Sequence, residues 1–181
     1  VHLDGYNLLP MLTGQGGDWS RKGFFYWSDD GQLVAMRYDR WIVDQLADMK
    51  LTPADITYAA YSHLHFDHAG AANELVANTV LMQQAEWDKA FDEGHSFVDP
   101  RLFDGLKAAK LKLIDGDYDV FGDGSVQLIS TPGHTPGHQS LLVMLDNTGP
   151  IVLSGDLYHT RANRTLRRVP TFNYNTEQTL Q

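Results

Sequence analysis

The chain contains no cysteine among its 181 residues, which excludes both a disulfide framework and a metal site built from thiolates. Basic residues are also scarce, because 14 Lys and Arg stand against 23 Asp and Glu and give a formal net charge of −9. A basic face for nucleic-acid phosphates is therefore not expected, and the arginines at 161–168 are predicted to be solvated and partly salt-bridged. Any metal ligands must come from His, Asp and Glu.

Long hydrophobic runs are missing as well. The sequence has no stretch of about 18 consecutive apolar residues, so it predicts no membrane span. Residues 1–5 lack the basic and apolar regions of a secretory signal, which favours a cytoplasmic location, although a mature end or a trimmed chain would look the same. A chain of this length that is 43% hydrophobic is typical of a soluble globular protein with a sizeable core.

A dense cluster of polar side chains occupies residues 63–68. It contains three histidines and one carboxylate, namely His63, His65, Asp67 and His68. Histidine is the commonest protein ligand for zinc, and a neighbouring carboxylate can add charge or carry a proton. The cluster predicts metal chemistry.

The pattern around this cluster predicts a strand, loop, helix, strand unit. The β-rich residues 56–61 precede the histidines, residues 71–76 have a helix-forming composition, and residues 79–82 form the next predicted strand. Helices are also expected at 84–91 and 101–110. From residue 111 onward the chain changes to short β-like runs, at 111–115, 117–121, 126–130, 139–145 and 151–154. The predicted fold class is a layered α/β arrangement.

Two further motifs lie where predicted strands end. Thr131–His138 presents histidines on a loop fixed by proline and glycine, and Ser154–Asp156 supplies a second carboxylate. Six of the eight histidines fall in or beside the three motifs. Because strand ends and the loops after them commonly build sites, these residues are expected to converge.

On these motifs, residues 42–181 resemble the metallo-β-lactamase superfamily, whose pattern is HxHxDH followed by a PGH histidine and a later aspartate. The string from Thr131 to Leu141 is most similar to the N-acyl homoserine lactone lactonase branch. The resemblance implies an αββα sandwich with a metal site between two sheets. It assigns His63, His65 and His134 to one ion, directs Asp67 and His68 to a second, makes Asp156 the bridge, and leaves His138 as a supporting or packing residue.

The expected activity is hydrolysis of a small ester, lactone or lactam by a metal-bound hydroxide. Zinc is the preferred ion, although manganese, iron or cobalt would accept the same donors. Asp67 could orient the nucleophile or pass a proton to the leaving group. Tyr158 and His159 are candidate partners for the oxyanion or leaving group, with packing roles as the alternative.

The sequence departs from the family pattern at its end. The family has a further histidine well beyond the bridging aspartate, whereas no histidine follows His159 here. The second ion would need His159, water or another chain to complete its ligands. A metal-binding but catalytically weak remnant is therefore the alternative function, and the fold is expected to be truncated at both ends.

Residues 3–41 resemble the C-terminal part of arylsulfatases, but the nucleophile motif of sulfatases has no counterpart and sulfatase activity is not expected. Two apolar-aromatic runs around Asp30 and Gly31 predict a β-hairpin. The chain is thus interpreted as a fusion of segment 1–41 with the metal-binding domain 42–181. A structural or interaction module is a further alternative, and uncovered strand edges predict a homo-oligomer.

Overall fold

The computed structural model describes residues 23–27, 33–38, 46–75, 77–91 and 98–181. It divides into two compact units, Val1–Gln45 and Leu46–Gln181. In the first unit, β1 (Gly23–Trp27) pairs antiparallel with β2 (Leu33–Tyr38), with an irregularity in register between Tyr26 and Trp27. The two strands of the predicted hairpin are confirmed, while the proposed junction near residue 41 lies outside the described residues.

The second unit contains a three-stranded parallel sheet in the order β3 (Tyr58–Ala60), β4 (Thr79–Gln83) and β5 (Leu111–Ile114). The central strand β4 is covered on both faces, as is typical of parallel sheets. Val80 and Met82 lie in one apolar cluster, and Leu81 between them lies in another. The polar motif residues therefore extend from a rigid apolar frame.

An antiparallel sheet follows, in the order β6 (Tyr118–Asp119), β7 (Val126–Ser130), β8 (Gln139–Leu145) and β9 (Gly149–Leu153). Leu128 of β7 packs with Leu81 and Ile114 of the parallel sheet. Two buried amides also join the sheets, since Gln83 Nε2 donates to Gln139 Oε1 over 3.1 Å. This junction holds the ends of β4 and β8 together.

The helices are short. They are α1 (Phe66–Ala69), α2 (Gln84–Lys89), α3 (Arg161–Leu166) and α4 (Thr176–Thr179), with 3₁₀ helices at Pro53–Asp55, Pro100–Leu102, Asp104–Ala108 and Gly155–Leu157. A further helical turn occupies residues 46–48. Over the ranges that the structure describes, none of these helices has the length and apolar character needed to cross a bilayer. The α/β class and the predicted strands from residue 111 onward are confirmed.

The predicted helix at 71–76 is wrong. Residues 71–74 form turns, residue 76 lies outside the described residues, and the helix α1 forms earlier, over the motif itself. The reason is tertiary: Asn73 donates through Nδ2 to the Arg101 carbonyl over 2.7 Å and accepts from the Gly105 N–H over 2.9 Å. These bonds connect the segment to two 3₁₀ helices distant in the chain and override its helical composition.

Candidate metal centre

The first histidine motif leaves β3 as an extended segment. Successive side chains of an extended chain point to opposite sides, so Leu64 enters the apolar core while His63 and His65 point the other way. Leu64 is 1% exposed and anchors the motif. His65 then caps α1, which carries Asp67 and His68.

The second motif is the loop from β7 to β8. Its ends are joined by the Thr131 N–H, which donates to the His138 carbonyl over 2.9 Å. Gly133 has φ +135°, and a Cβ on it would collide with Thr179. Glycine is therefore required for the close approach that places the next residue, His134, in a buried position.

Three imidazole nitrogens converge between these motifs. His65 Nδ1 lies 3.0 Å from His63 Nε2 and 3.1 Å from His134 Nε2. His134 Nδ1 faces Asn173 Oδ1 at 3.2 Å, so its hydrogen is on Nδ1 and its Nε2 presents a lone pair to the centre. His65 Nδ1 carries at most one hydrogen and cannot satisfy both neighbouring nitrogens well.

The protonation states of these histidines also suit a cation. Burial, reinforced by neighbouring imidazoles, lowers the pKa of His65 to about 4 and places the pKa of His63 far below its usual value. Burial lowers the pKa of His134 as well, against the opposing effects of Asn173 and Asp156. Nitrogens bound to a tetrahedral zinc at about 2.0–2.1 Å are roughly 3.3 Å apart, close to the spacing seen here. The donor set therefore fits a metal ion.

The Asp156 carboxylate lies next to this set. Its Oδ2 is 3.5 Å from His134 Nε2 and 3.3 Å from His159 Nε2, and its Oδ1 is 3.3 Å from His68 Nε2. Donor atoms within 4.8 Å of one another define three groups among the described residues, namely His63, His65 and His134; His63, His68 and Asp156; and His134, Asp156 and His159. The carboxylate belongs to two of them.

Electrostatics couple Asp156 to the histidines. Burial by itself raises the pKa of Asp156, but hydrogen bonds from His159 and His68 outweigh it and hold that pKa below its usual range. Conversely, burial lowers the pKa of His68, but the hydrogen bond and charge of Asp156, followed by the charge of Asp67, raise it overall. Asp156 is therefore a carboxylate at neutral pH, with donors on both of its oxygens.

His138 lies outside the three groups and supports Asp156 instead. Its buried Nε2 accepts the Asp156 N–H over 3.0 Å, while its Nδ1 lies 3.1 Å from the Thr131 carbonyl. Gly155 has φ +55°, and a Cβ on it would lie 2.8 Å from His138 Nε2. The second motif and the turn after β9 are thus packed against each other through His138.

The other predicted site residues are placed as follows. Asp67 is exposed, its Oδ2 lies 3.7 Å from His68 Nε2, and it belongs to none of the three donor groups. Tyr158 is half-buried and lies two positions after Asp156. His159 packs against His134 with ring centroids 5.2 Å apart, and its Nδ1 is buried with no partner among the described residues.

Sequence reasoning missed three residues that hold the ligands. Asn173 bonds His134, Ser62 Oγ lies 3.1 Å from His63 Nδ1 and 3.3 Å from His68 Nδ1, and Glu86 contacts both histidine loops. Ser62 directly precedes the first motif, and Glu86 follows the end of β4. A search for polar residues at every strand end would have found these two.

Comparison with known proteins shows the family to which the chain belongs. The pattern of the metallo-beta-lactamase superfamily matches residues 16–180. The chain is 36% identical to the N-acyl homoserine lactonase AttM of Rhizobium radiobacter over 99% of its own length and 68% of the relative. It is 37% identical to an N-acyl homoserine lactonase of a Bacillus species, over 74% of this chain and 52% of that one.

A solved relative agrees in structure. An N-acyl homoserine lactone hydrolase, determined with the product N-hexanoyl-L-homoserine at its catalytic metal centre, superposes with a TM-score of 0.69 and 30% identity. The match covers 88% of this chain and 62% of that chain. Because the AttM alignment spans 99% of the chain, it includes most of segment 3–41, whose resemblance to arylsulfatases stays a prediction. The chain belongs to the metallo-β-lactamase superfamily, in its N-acyl homoserine lactonase branch.

Proposed function

We propose that this protein is a zinc-dependent hydrolase that opens the ring of small lactones, with N-acyl homoserine lactones as the substrate class. The convergence of three imidazole nitrogens beside a carboxylate that reaches two further histidines carries the proposal. The substrate class is that of the N-acyl homoserine lactonases to which this chain is 36% and 37% identical over the aligned residues.

The donor atoms form two sets, one on each side of the Asp156 carboxylate. His63, His65 and His134 would hold the first ion, and Asp156 would reach toward a second beside His68. A divalent ion bound there supplies Lewis acidity, which polarises a carbonyl and makes a water molecule more acidic. His63 and His134 are buried, which keeps bulk water away from that side of the donors and strengthens electrostatic interactions there.

In this proposal, Asp67 transfers a proton during the reaction. Its carboxylate is exposed beside His68, so it can meet substrate without being locked in the donor groups. We assign it the role of accepting a proton from the attacking water and returning it to the alkoxide oxygen that leaves when the ring opens. Tyr158 and His159, which follow Asp156, remain the candidates to contact the carbonyl oxygen or the leaving group.

Metal content and turnover measured together test the proposal. Bound zinc, manganese, iron and cobalt are quantified per chain, and hydrolysis of an acyl homoserine lactone, an aryl ester and a cephalosporin is followed. We expect stoichiometric zinc and preferential hydrolysis of the lactone. A chelator should abolish that activity, and added zinc should restore it.

The outcomes separate the alternative functions. Stoichiometric metal without turnover of any substrate would favour the metal-binding, catalytically weak remnant. Protein prepared without chelator that holds no stoichiometric metal would overturn the hydrolase proposal and favour a structural or interaction module.

A further inference from the structure

Glu86 is a buried carboxylate outside the three donor groups. It lies in the first turn of α2, directly after β4, and its residue is 4% exposed. Acidic side chains are rarely buried to this degree unless several donors satisfy them. The hydrogen-bond partners of Glu86 therefore indicate its role in the structure.

Its two oxygens contact the two histidine loops separately. Glu86 Oε1 accepts the Leu64 N–H over 2.8 Å, and Leu64 stands between His63 and His65. Glu86 Oε2 accepts the Thr135 hydroxyl over 2.6 Å and the Gly137 N–H over 3.1 Å. One carboxylate thus joins the backbone of the first motif to the loop that carries the third histidine.

Steric contact reinforces this connection. A Cβ placed on Gly137 would collide with the backbone of Glu86, so the loop lies directly against the start of α2. Leu64 is fixed on the other side by its burial in the apolar core. The carboxylate therefore links two segments that have little freedom to move independently.

We propose that Glu86 is a positioning residue that sets the spacing between the His63–His65 segment and His134, and thereby the affinity of the centre for its metal ion. This inference rests on the proposed function. A carboxylate accepts hydrogen bonds at both oxygens, whereas an amide accepts at one and donates at the other. Glu86→Gln would therefore set an NH₂ group against an N–H or hydroxyl donor of one loop.

Glu86→Gln tests the inference, with Asp88→Asn as the matched control. Asp88 lies on the same helix and is exposed, so its replacement removes the same charge without touching either loop. Zinc affinity is measured on the full chain by competition with a chromophoric chelator. The visible spectrum of the cobalt(II)-loaded protein reports the ligand geometry, and thermal unfolding of the metal-free protein reports the fold.

We expect Glu86→Gln to weaken zinc binding about 10- to 100-fold, the usual cost of losing a residue that supports metal ligands, and to change the cobalt spectrum. Asp88→Asn should change neither. Thr135→Val removes one donor to Oε2 and should give a smaller loss in the same direction. If Glu86→Gln does not fold, the inference is tested with Thr135→Val instead.

Several results would overturn the inference. Unchanged zinc affinity and an unchanged cobalt spectrum in Glu86→Gln would do so, even with lower thermal stability, because the role would then be structural only. An equal loss in Asp88→Asn would point to a general charge effect. If the unsubstituted protein binds no zinc or cobalt, the proposed function itself fails and the inference fails with it.

Discussion

Replacing His134 and replacing His138 are expected to have different effects, although both are buried in the same loop. His134 Nε2 points to His65 and Asp156, whereas His138 bonds backbone groups with both nitrogens. His134→Ala should therefore remove metal binding, and His138→Ala should mainly destabilise the fold.

The magnitudes follow from these contacts. His138→Ala leaves the Asp156 N–H and the Thr131 carbonyl without their imidazole partner. At about 1–3 kcal/mol for each polar group that stays unsatisfied, we expect a loss of roughly 2–6 kcal/mol. His134→Ala removes one of three converging donors. Supporting residues alone change affinity about 10- to 100-fold, so a direct ligand should cost at least about 100-fold.

Two measurements separate the effects. Urea unfolding of the metal-free proteins gives the stability change without the contribution of bound ion, and chelator competition gives zinc affinity. We expect His138→Ala to show the larger loss of stability and His134→Ala the larger loss of affinity. Equal losses of zinc affinity would refute the assignment of the ligand to His134.

Two other predictions follow from the structure, and a third, the oligomeric state, follows from the sequence. Ser62→Ala should weaken zinc binding about tenfold in a calorimetric titration because it removes the hydroxyl beside His63 Nδ1, and Ser62→Thr should retain most of the affinity. Gly155→Ala should lower the free energy of unfolding by about 1–3 kcal/mol, and more than Gly116→Ala, whose added methyl meets nothing within 4 Å. Size-exclusion chromatography with light scattering should find a homo-oligomer; a stable monomer would contradict it.

The local parts of the centre could be predicted from the sequence. His63, His65 and His68 are close in the chain, and an extended segment followed by a helical turn brings their side chains together. The strands before residues 131 and 154 also have clear β patterns, so their ends could be located. Those strand ends, together with the resemblance to the metallo-β-lactamase superfamily, are the basis for predicting that His134 and Asp156 lie near the first motif.

Polar residues at strand ends could be found from the sequence, but their partners could not, because most of these contacts connect residues far apart in the chain. Glu86 lies 22 positions from Leu64 and 49 from Thr135, and Asn173 lies 39 from His134. No periodic pattern specifies such pairs. The incorrect helix at 71–76 has the same cause, since the side chain of Asn73 bonds residues 28 and 32 positions away, in two 3₁₀ helices.

The position of His159 decides which donor set it could join as a ligand. Asp156 separates two sides of the centre, because its Oδ1 faces His68 and its Oδ2 faces both His134 and His159. His159 also packs on the ring of His134. It therefore lies on the side of the first donor set, across the carboxylate from His68. A ligand role for His159 would therefore extend the set that contains His134 and would not add a donor beside His68.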